Sequence, residues 1–520
     1  MIRRMPNHNN AQEGPKISYM NTQETLSLPP KIFSDLNHYK SGPLSDRLRA
    51  LNINPNELTR ISVEPSEGVG MLERANAFVV SLYGSADEVR GRLFAKTIFQ
   101  GQRPTTFKPQ VIRARHSIEY QFNQMLLWDK YGLPTPHVMD YVKEIRYMGS
   151  ESRSIEGISM EGVWSPTHDL DLIAIDQRIR EFTERCGKNF EPRDTVNRLE
   201  KQIKELKALR EEILGSALAT VYDFAIFGTP KISSDDVARP KNPLSFSFRR
   251  LKHYMQQMVL WDNIDRGQFN IDDLPEQRVK ILGPLGGHIH TARRTLCGTI
   301  EEFMRENMAY RQGDEFLHHM AYHWVNNDPL DPEPRKRTVI FDADRTTISA
   351  LAHAQAKVLF NPIPGVDYEI KHSVLKTATD RARLRLESAI AQEKSQEGLF
   401  DFDEESMRRN LDFAAVYEML CCLGRRAQDA LINRDLHEKR FHNVIEYKNN
   451  HIPEEFGLNG QVNLVGGYDI PQAIARLRHS LHELFLWMRG GRTDYRMSAG
   501  QKRSVETLEA LVRATNILEK

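Results

Sequence analysis

Ser165-Pro-Thr-His-Asp-Leu-Asp-Leu-Ile-Ala-Ile175 is the stretch on which the reading of this chain turns. Asp169 and Asp171 stand one residue apart and run straight into an apolar segment. In an extended strand, side chains two positions apart share a face. Both carboxylates would then project together from the start of a strand whose remainder is buried. Such a pair can hold divalent metal against a nucleoside triphosphate, because hard Mg²⁺ takes oxygen ligands and keeps part of its shell for phosphates. On the pair alone, an exposed strand start with two solvated acids fits equally.

The rest of the 520-residue chain sets bounds on that reading. Its length suits two to four domains. With 40% apolar and 27% charged residues it has the balance of a soluble globular protein with ample material for a core. A formal net charge of +1 gives no global electrostatic pull toward nucleic acid or membrane. The cysteines are Cys186, Cys297, Cys421 and Cys422, and none forms a CxxC pair. This argues against a disulfide framework or a structural zinc site and fits a reducing compartment. There is no apolar run of transmembrane length, and the start at Met1-Ile-Arg-Arg lacks the apolar core of a secretory signal. The expected location is cytoplasmic, with no nucleic-acid and no membrane partner.

Residues 1–45 are polar and read as a mobile tail, and 46–140 as an N-terminal helical segment in which Ile118, Phe122 and Met125 keep helical spacing. Strand signals gather at 143–176: Ile145 to Met148, Ile155 to Val163, and Leu170 to Ile175. Val196, Leu199, Ile203, Leu206, Leu209 and Ile213 then recur every three or four residues, the mark of an amphipathic helix, with Asp194 where a cap is wanted. Further helices are expected at 246–261, 293–308, 349–359, 372–393, 405–435 and 471–489, interrupted by a strand at Thr338-Val-Ile-Phe341. The expected fold is α+β and mainly helical, with a small α/β domain at 141–230 followed by a long helical domain at 231–520.

A phosphate-cradling loop should precede paired acids, because small residues let backbone N–H groups approach phosphate. Two registers are open. Gly149-Ser150 with Arg153 follows an apolar strand but lies far ahead of Asp169, whereas Gly157 to Gly162 to Pro166 needs no insertion. In this second register the chain resembles nucleotidyltransferases of the DNA polymerase β type. Among these it is similar to the N-terminal part of bacterial protein-PII uridylyltransferases and glutamine-synthetase adenylyltransferases, whose motif reads G-G-Y-G-R-G-E-L-x-P-x-S-D-I-D-L. Gly157, Gly162, Pro166, Asp169, Asp171 and Leu172 fall on that pattern, while Ile158, Met160 and Glu161 replace its other glycines and its arginine. Looser likenesses follow in order at Ser216 to Gly228, Val279 to His290, and Leu477 to Arg496. The resemblance implies a nucleotidyltransferase domain at 141–230 that moves a nucleoside monophosphate to a protein hydroxyl. Asp169 and Asp171 would be the catalytic and Mg²⁺-binding pair. Glu191, Asp194 and Lys280 are lesser candidates for a third acid and a phosphate contact.

Other constellations compete. Val339-Ile-Phe-Asp342-Ala-Asp344 looks like the first motif of haloacid-dehalogenase-type phosphatases, with Asp342 as nucleophile and Asp344 as acid, or like a strand end with solvated acids. Histidines cluster at His288, His290, His318, His319 and His323; His319 and His323 share a helical spacing that can bind metal, but Met320 stands where a zincin needs glutamate. The altered glycines and arginine also leave open a degenerate, binding or scaffold protein. The partners expected are a nucleoside triphosphate and a protein acceptor.

Overall fold

A computed structural model describes residues 30–65, 75–99, 118–148, 151–162, 167–187, 192–233, 307–325 and most of 328–403, with scattered positions between and onward to Glu418. The chain divides into two compact units: residues 1–106 with 142–157, and residues 107–141 with 158–520.

The first unit opens with two short helices, α1 (Leu36–Lys40) and α2 (Gly42–Ala50). Three strands follow, β1 (Arg60–Pro65), β2 (Ala75–Tyr83) and β3 (Val89–Phe99), paired as an antiparallel meander. Helical spacing was expected through much of this stretch. The period-two burial of Phe78, Val80 and Leu82 makes β2 a strand instead. Two more strands, β4 (Val138–Met148) and β5 (Glu151–Glu161), complete a five-stranded sheet in the order β1-β2-β3-β5-β4. Within this unit the ring of Phe33 and the side chain of Val142 press on Gly157, leaving no room for a Cβ. Helix α3 (Ile118–Lys130) lies between β3 and β4 in sequence and belongs to the second unit.

In the second unit, α4 (His168–Cys186) packs against the 31-residue α5 (Arg193–Asp223), which continues into a π-turn at Phe224–Gly228. The helix expected from Val196 to Ile213 is present, and its C-terminal half is the centre of the core. Ile213, Leu214, Ala217, Leu218, Val221 and Tyr222 are all buried at helical spacing. Two small antiparallel strand pairs follow: β6 (Met308–Arg311) pairs with β9 (Thr347–Ala350), and between them in sequence β7 (Met320–Val325) and β8 (Arg335–Ile340) form a hairpin. Helices α6 (Leu351–Phe360) and α7 (Tyr368–Ala391) pack on α5. Among the described residues no helix is long and apolar enough to cross a membrane.

The deciding stretch proves to be helical. His168 to Ile175 opens α4, not a strand, and Leu172, Ile175, Asp176 and Ile179 are buried at a helical period. Thr167 sits extended at the cap position, and the two acids occupy the first turn, where negative charge favours the helix dipole. The sequence motif there is a helix start. A nucleotidyltransferase domain of the polymerase β type, with paired acids on a strand, is therefore overturned as the fold class. The β8 strand before Asp342 is antiparallel to β7, so the parallel sheet needed by the phosphatase alternative is absent among the described residues. The expected helices at 246–261 (Gln256 apart) and 471–489 lie outside the described residues, as does the one at 293–308 up to residue 306, where Met308 instead begins β6.

Trp128 anchors this unit. It is fully buried, donates Nε1–H to the Tyr310 hydroxyl at 2.6 Å, and meets Phe224 edge to face at 4.9 Å. The Tyr310 hydroxyl in turn donates to Gln124 Oε1 at 3.1 Å. We expect Trp128→Ala to cost about 3–5 kcal/mol, because it removes packed surface and leaves the Tyr310 hydroxyl short of a partner. Urea unfolding checks this; a change below about 1 kcal/mol would show that the α3–β6 contact does not hold the unit together.

Candidate active site

The turn after β6 in the second unit, Arg311-Gln-Gly-Asp-Glu315, is tightly constrained. Gly313 has φ +92°, and a Cβ there would overlap the carbonyl oxygen of Arg345, so the turn needs glycine. Arg311 and Glu315, both buried, close a two-pronged pair at 3.0 and 2.6 Å, and Glu315 Oε1 also accepts the Gly313 N–H at 2.7 Å. The Gln312 side chain works in two directions. Its Oε1 accepts the Asp314 N–H at 2.6 Å, and its Nε2 donates to the carbonyl oxygen of Asp342. The Asp314 backbone is thereby fixed to the strand end that carries Asp342.

Two cations face the Asp314 carboxylate: Lys357 Nζ from α6 lies 3.5 Å from Oδ1, and an Arg345 nitrogen lies 3.6 Å from Oδ2. Lys357 is wholly buried and donates to the Gly313 carbonyl at 2.5 Å. Five residues past Asp314, His319 ends a short 3-10 turn, with Nδ1 2.9 Å from the Asp314 carbonyl oxygen and Nε2 3.7 Å from Asp342 Oδ2. Asp342 follows β8 with φ +82°, an uncommon conformation for a residue with a Cβ. Backbone pairing of Phe341 N–H to the His319 carbonyl at 3.0 Å holds the two residues side by side. The Tyr120 and Thr346 hydroxyls, 2.5 Å apart, tie α3 to the segment just beyond Asp342.

Burial and charge oppose one another here. Burial alone would raise the Glu315 carboxyl, but Arg311 and Lys357 outweigh it and bring it down to about 2. Burial lowers the Lys357 ammonium, against the pull of Asp314, Glu315 and Glu418. Burial also lowers the His353 imidazole, to about 4, although it pairs with Glu418.

The residues singled out in the sequence fall elsewhere. Residues two apart on a helix stand about 200° around its axis, so Asp169 and Asp171 do not share a face. Asp169 accepts the Thr167 hydroxyl, while Asp171 lies 3.8 Å from Nδ1 of the buried His168. Asp171 also lines an open groove of about 610 Å³ with Arg178, Glu212, Tyr322 and Lys336. Gly162, at φ +93°, is packed against the His323 ring, whose Nε2 lies 3.4 Å from Glu161. Gly157 lies in the middle of β5, in the first unit. Gly149, Ser150, Glu191, Lys280, Asp344 and the Arg153 side chain lie outside the described residues. Asp194 sits in the first turn of α5. His319 and His323 do not converge as a helical metal pair, because His323 is on strand β7; among the described residues no group of three or more His, Cys, Asp or Glu could hold a metal by itself.

Asp314 was missed in the sequence, and Asp342 and His319 were noticed only separately. The signal was their spacing: an acid after a glycine, a possible ligand five residues later, and a second acid closing an apolar strand.

No family model matches the chain, and no curated protein matches it. Among solved structures, an ethanolamine kinase from Plasmodium vivax is matched at 10% identity and TM-score 0.31, over 81% of this chain and 89% of that one. A protein described as an aminoglycoside phosphotransferase, from Ralstonia eutropha, is matched at 12% identity and TM-score 0.35, over 81% of this chain and 98% of that one. Neither is a uridylyltransferase or adenylyltransferase, so the matches do not bear out the resemblance expected from the motif around Asp169. At TM-scores of this size a likeness fixes neither fold nor function.

The acid limb of stability follows from these groups. Glu315 titrates near 2 folded against an ordinary 4.5, so its contribution is full above about 4.5 and is lost as pH falls toward 2. For a fully buried carboxylate this shift corresponds to about 3 kcal/mol. His353 is neutral in the fold down to about 4 but charges near 6.5 when unfolded, so it too costs stability as pH falls from 6.5 to 4. The urea midpoint should therefore drop in two steps between pH 7 and pH 3, and Glu315→Gln should flatten the lower step. A midpoint independent of pH would contradict this electrostatic account.

Proposed function

We propose that the chain transfers a phosphoryl group from a nucleoside triphosphate to an acceptor hydroxyl, with Asp314 and Asp342 as its reactive carboxylates. The observation that carries this reading is the locked turn at Gln312-Gly313-Asp314, bonded through Gln312 directly to the Asp342 backbone. It supports the reading because phosphoryl transfer depends mainly on positioning and charge compensation, with little covalent work for the protein.

Asp314 is placed to accept the hydrogen bond of the incoming hydroxyl and to take its proton. Lys357 and Arg345 flank its carboxylate and hold it in place. That suits a loose transition state, in which the proton leaves late and alignment matters more than basicity. The buried Arg311–Glu315 pair keeps the Asp314 main chain from shifting. Asp342, on the opposite side of His319, has the hard oxygen donors that suit a divalent cation, and Mg²⁺ would be held there together with phosphate oxygens. When bound, such an ion neutralises charge on the transferred group. Whether the acceptor is a protein or a small molecule is read out by following the label.

The test is transfer of the γ-phosphoryl group from labelled ATP or GTP with Mg²⁺, together with nucleotide binding. Wild type should turn over one of them. Asp314→Asn should bind nucleotide normally but lose about 10²–10⁴-fold in rate, and Asp342→Asn should lose metal-dependent nucleotide binding as well. No binding or turnover by wild type, or full activity in Asp314→Asn, would overturn the proposal.

A further inference from the structure

The groove that Asp171 lines plays no part in the reaction proposed for Asp314, and its chemistry points to a different use. It runs between two helices, with Asp171 to Arg178 of α4 facing Leu206 to Ile213 of α5. The approach of Arg210 to Asp176 at 3.7 Å sets the two helices antiparallel, as their short connection requires. Seven residues at 1.5 Å each make the groove about 10 Å long. Its floor is apolar: Ile175 and Ile213 are buried, and Leu209 on its wall is 42% exposed. Its two ends differ in charge. Asp171 and Glu212 stand at the end closed by Tyr322, whose hydroxyl their charges reach. Arg178 stands at the other end, beside Leu206.

Trp324 extends this surface. It lies two residues past Tyr322 on β7 and pairs across the hairpin with Lys336, so all three side chains share one face. That face is turned to α4 and α5, because Thr338 on it bonds His168 at 2.8 Å and Ser216 at 2.6 Å. Trp324 is nevertheless 62% exposed. Lys336 lines the groove and keeps its Nζ 5.4 Å from the Tyr322 ring, which engages its charge within the same chain. A large aromatic left in water beside an open apolar groove marks an interface.

We propose that this face joins a second copy of the chain about a two-fold axis. The charges select that occupant. A two-fold axis normal to the groove reverses it, so Arg178 of one copy meets Asp171 and Glu212 of the other, and the same pairing occurs twice. Among the described residues neither Arg178 nor Glu212 has an ion pair within its own chain. The apolar parts complement one another as well: Trp324 of each copy covers the Leu206–Leu209 wall of the other. A partner carrying a single sign of charge would leave one end of the groove unmatched. Tryptophan and arginine are also the residue types in which binding energy concentrates.

Sedimentation equilibrium of the full chain, from about 1 to 100 μM, tests this. Wild type should reach the mass of two chains. Trp324→Ala removes an exposed side chain, should leave circular dichroism unchanged, and should weaken association about 10–100-fold. Arg178→Glu and Glu212→Arg should each be monomeric alone and associate when mixed, because the mixture restores opposite charges at both contacts. A wild-type monomer throughout the range would overturn the proposal and leave the face to another segment of this chain or to a different protein. A dimer that survives Trp324→Ala, or charge variants that do not recover on mixing, would overturn it too. No readout depends on phosphoryl transfer, so failure of either reading leaves the other standing.

Discussion

The buried pair between Arg311 and Glu315 is the constraint on which the second unit's chemistry depends. Both charges are out of water, so each needs the other, and the pair closes a turn of only five residues. Glu315 also binds the Gly313 N–H, and Arg311 reaches the Ser349 hydroxyl at 2.7 Å and the Ala350 carbonyl at 3.2 Å on the neighbouring strand. One ion pair thus sets the turn, the β6–β9 pairing and the entry to α6. Removing one partner of such a pair strands the other charge, at a cost of about 3–5 kcal/mol. Asp314, held by the same turn, inherits its fixed direction.

A second buried network stands behind the first. Asp223, at the end of α5, pairs with Arg337 and Arg385, and Asp328 pairs with Arg335, with Arg337 at 2.9 Å and with Arg385 at 2.8 Å. These charges join α5, β8 and α7 and so fix the strand that delivers Asp342. Burial pulls the Arg337 guanidinium below its ordinary value, yet Asp223 beside it keeps the charge worth holding. Such networks add little net stability compared with an apolar core, and their use is to favour one arrangement of elements. Here that arrangement holds the open end of the β7–β8 hairpin, where His319 precedes one strand and Asp342 follows the other.

The long amphipathic α5 was legible in the sequence because its apolar residues repeat over many turns. The strand at Thr338 to Phe341 was legible because it is short, apolar and followed by acids. The Asp169–Asp171 stretch misled for a physical reason. A polar start running into Leu-Ile-Ala-Ile satisfies the period-two pattern over a few residues, while burial of Leu172, Ile175 and Ile179 shows only over two helical turns. A helix cap and a metal-binding strand start also draw on the same residues, threonine and aspartate. The locked turn at Gly313 was hidden because its determinants are contacts distant in sequence: the Arg345 carbonyl, Lys357 and Asp342. Asp314 has no local periodicity to mark it, only its spacing to His319 and Asp342.

Hydrogen exchange of the whole chain, read by mass spectrometry with and without an ATP analogue and divalent metal, tests the location of the site most directly. Binding at Asp314, His319 and Asp342 should slow exchange in peptides covering 308–320 and 336–350 and leave the start of α4 at 168–176 unchanged. Protection centred on 168–176, or none in either of those two segments, would contradict the account.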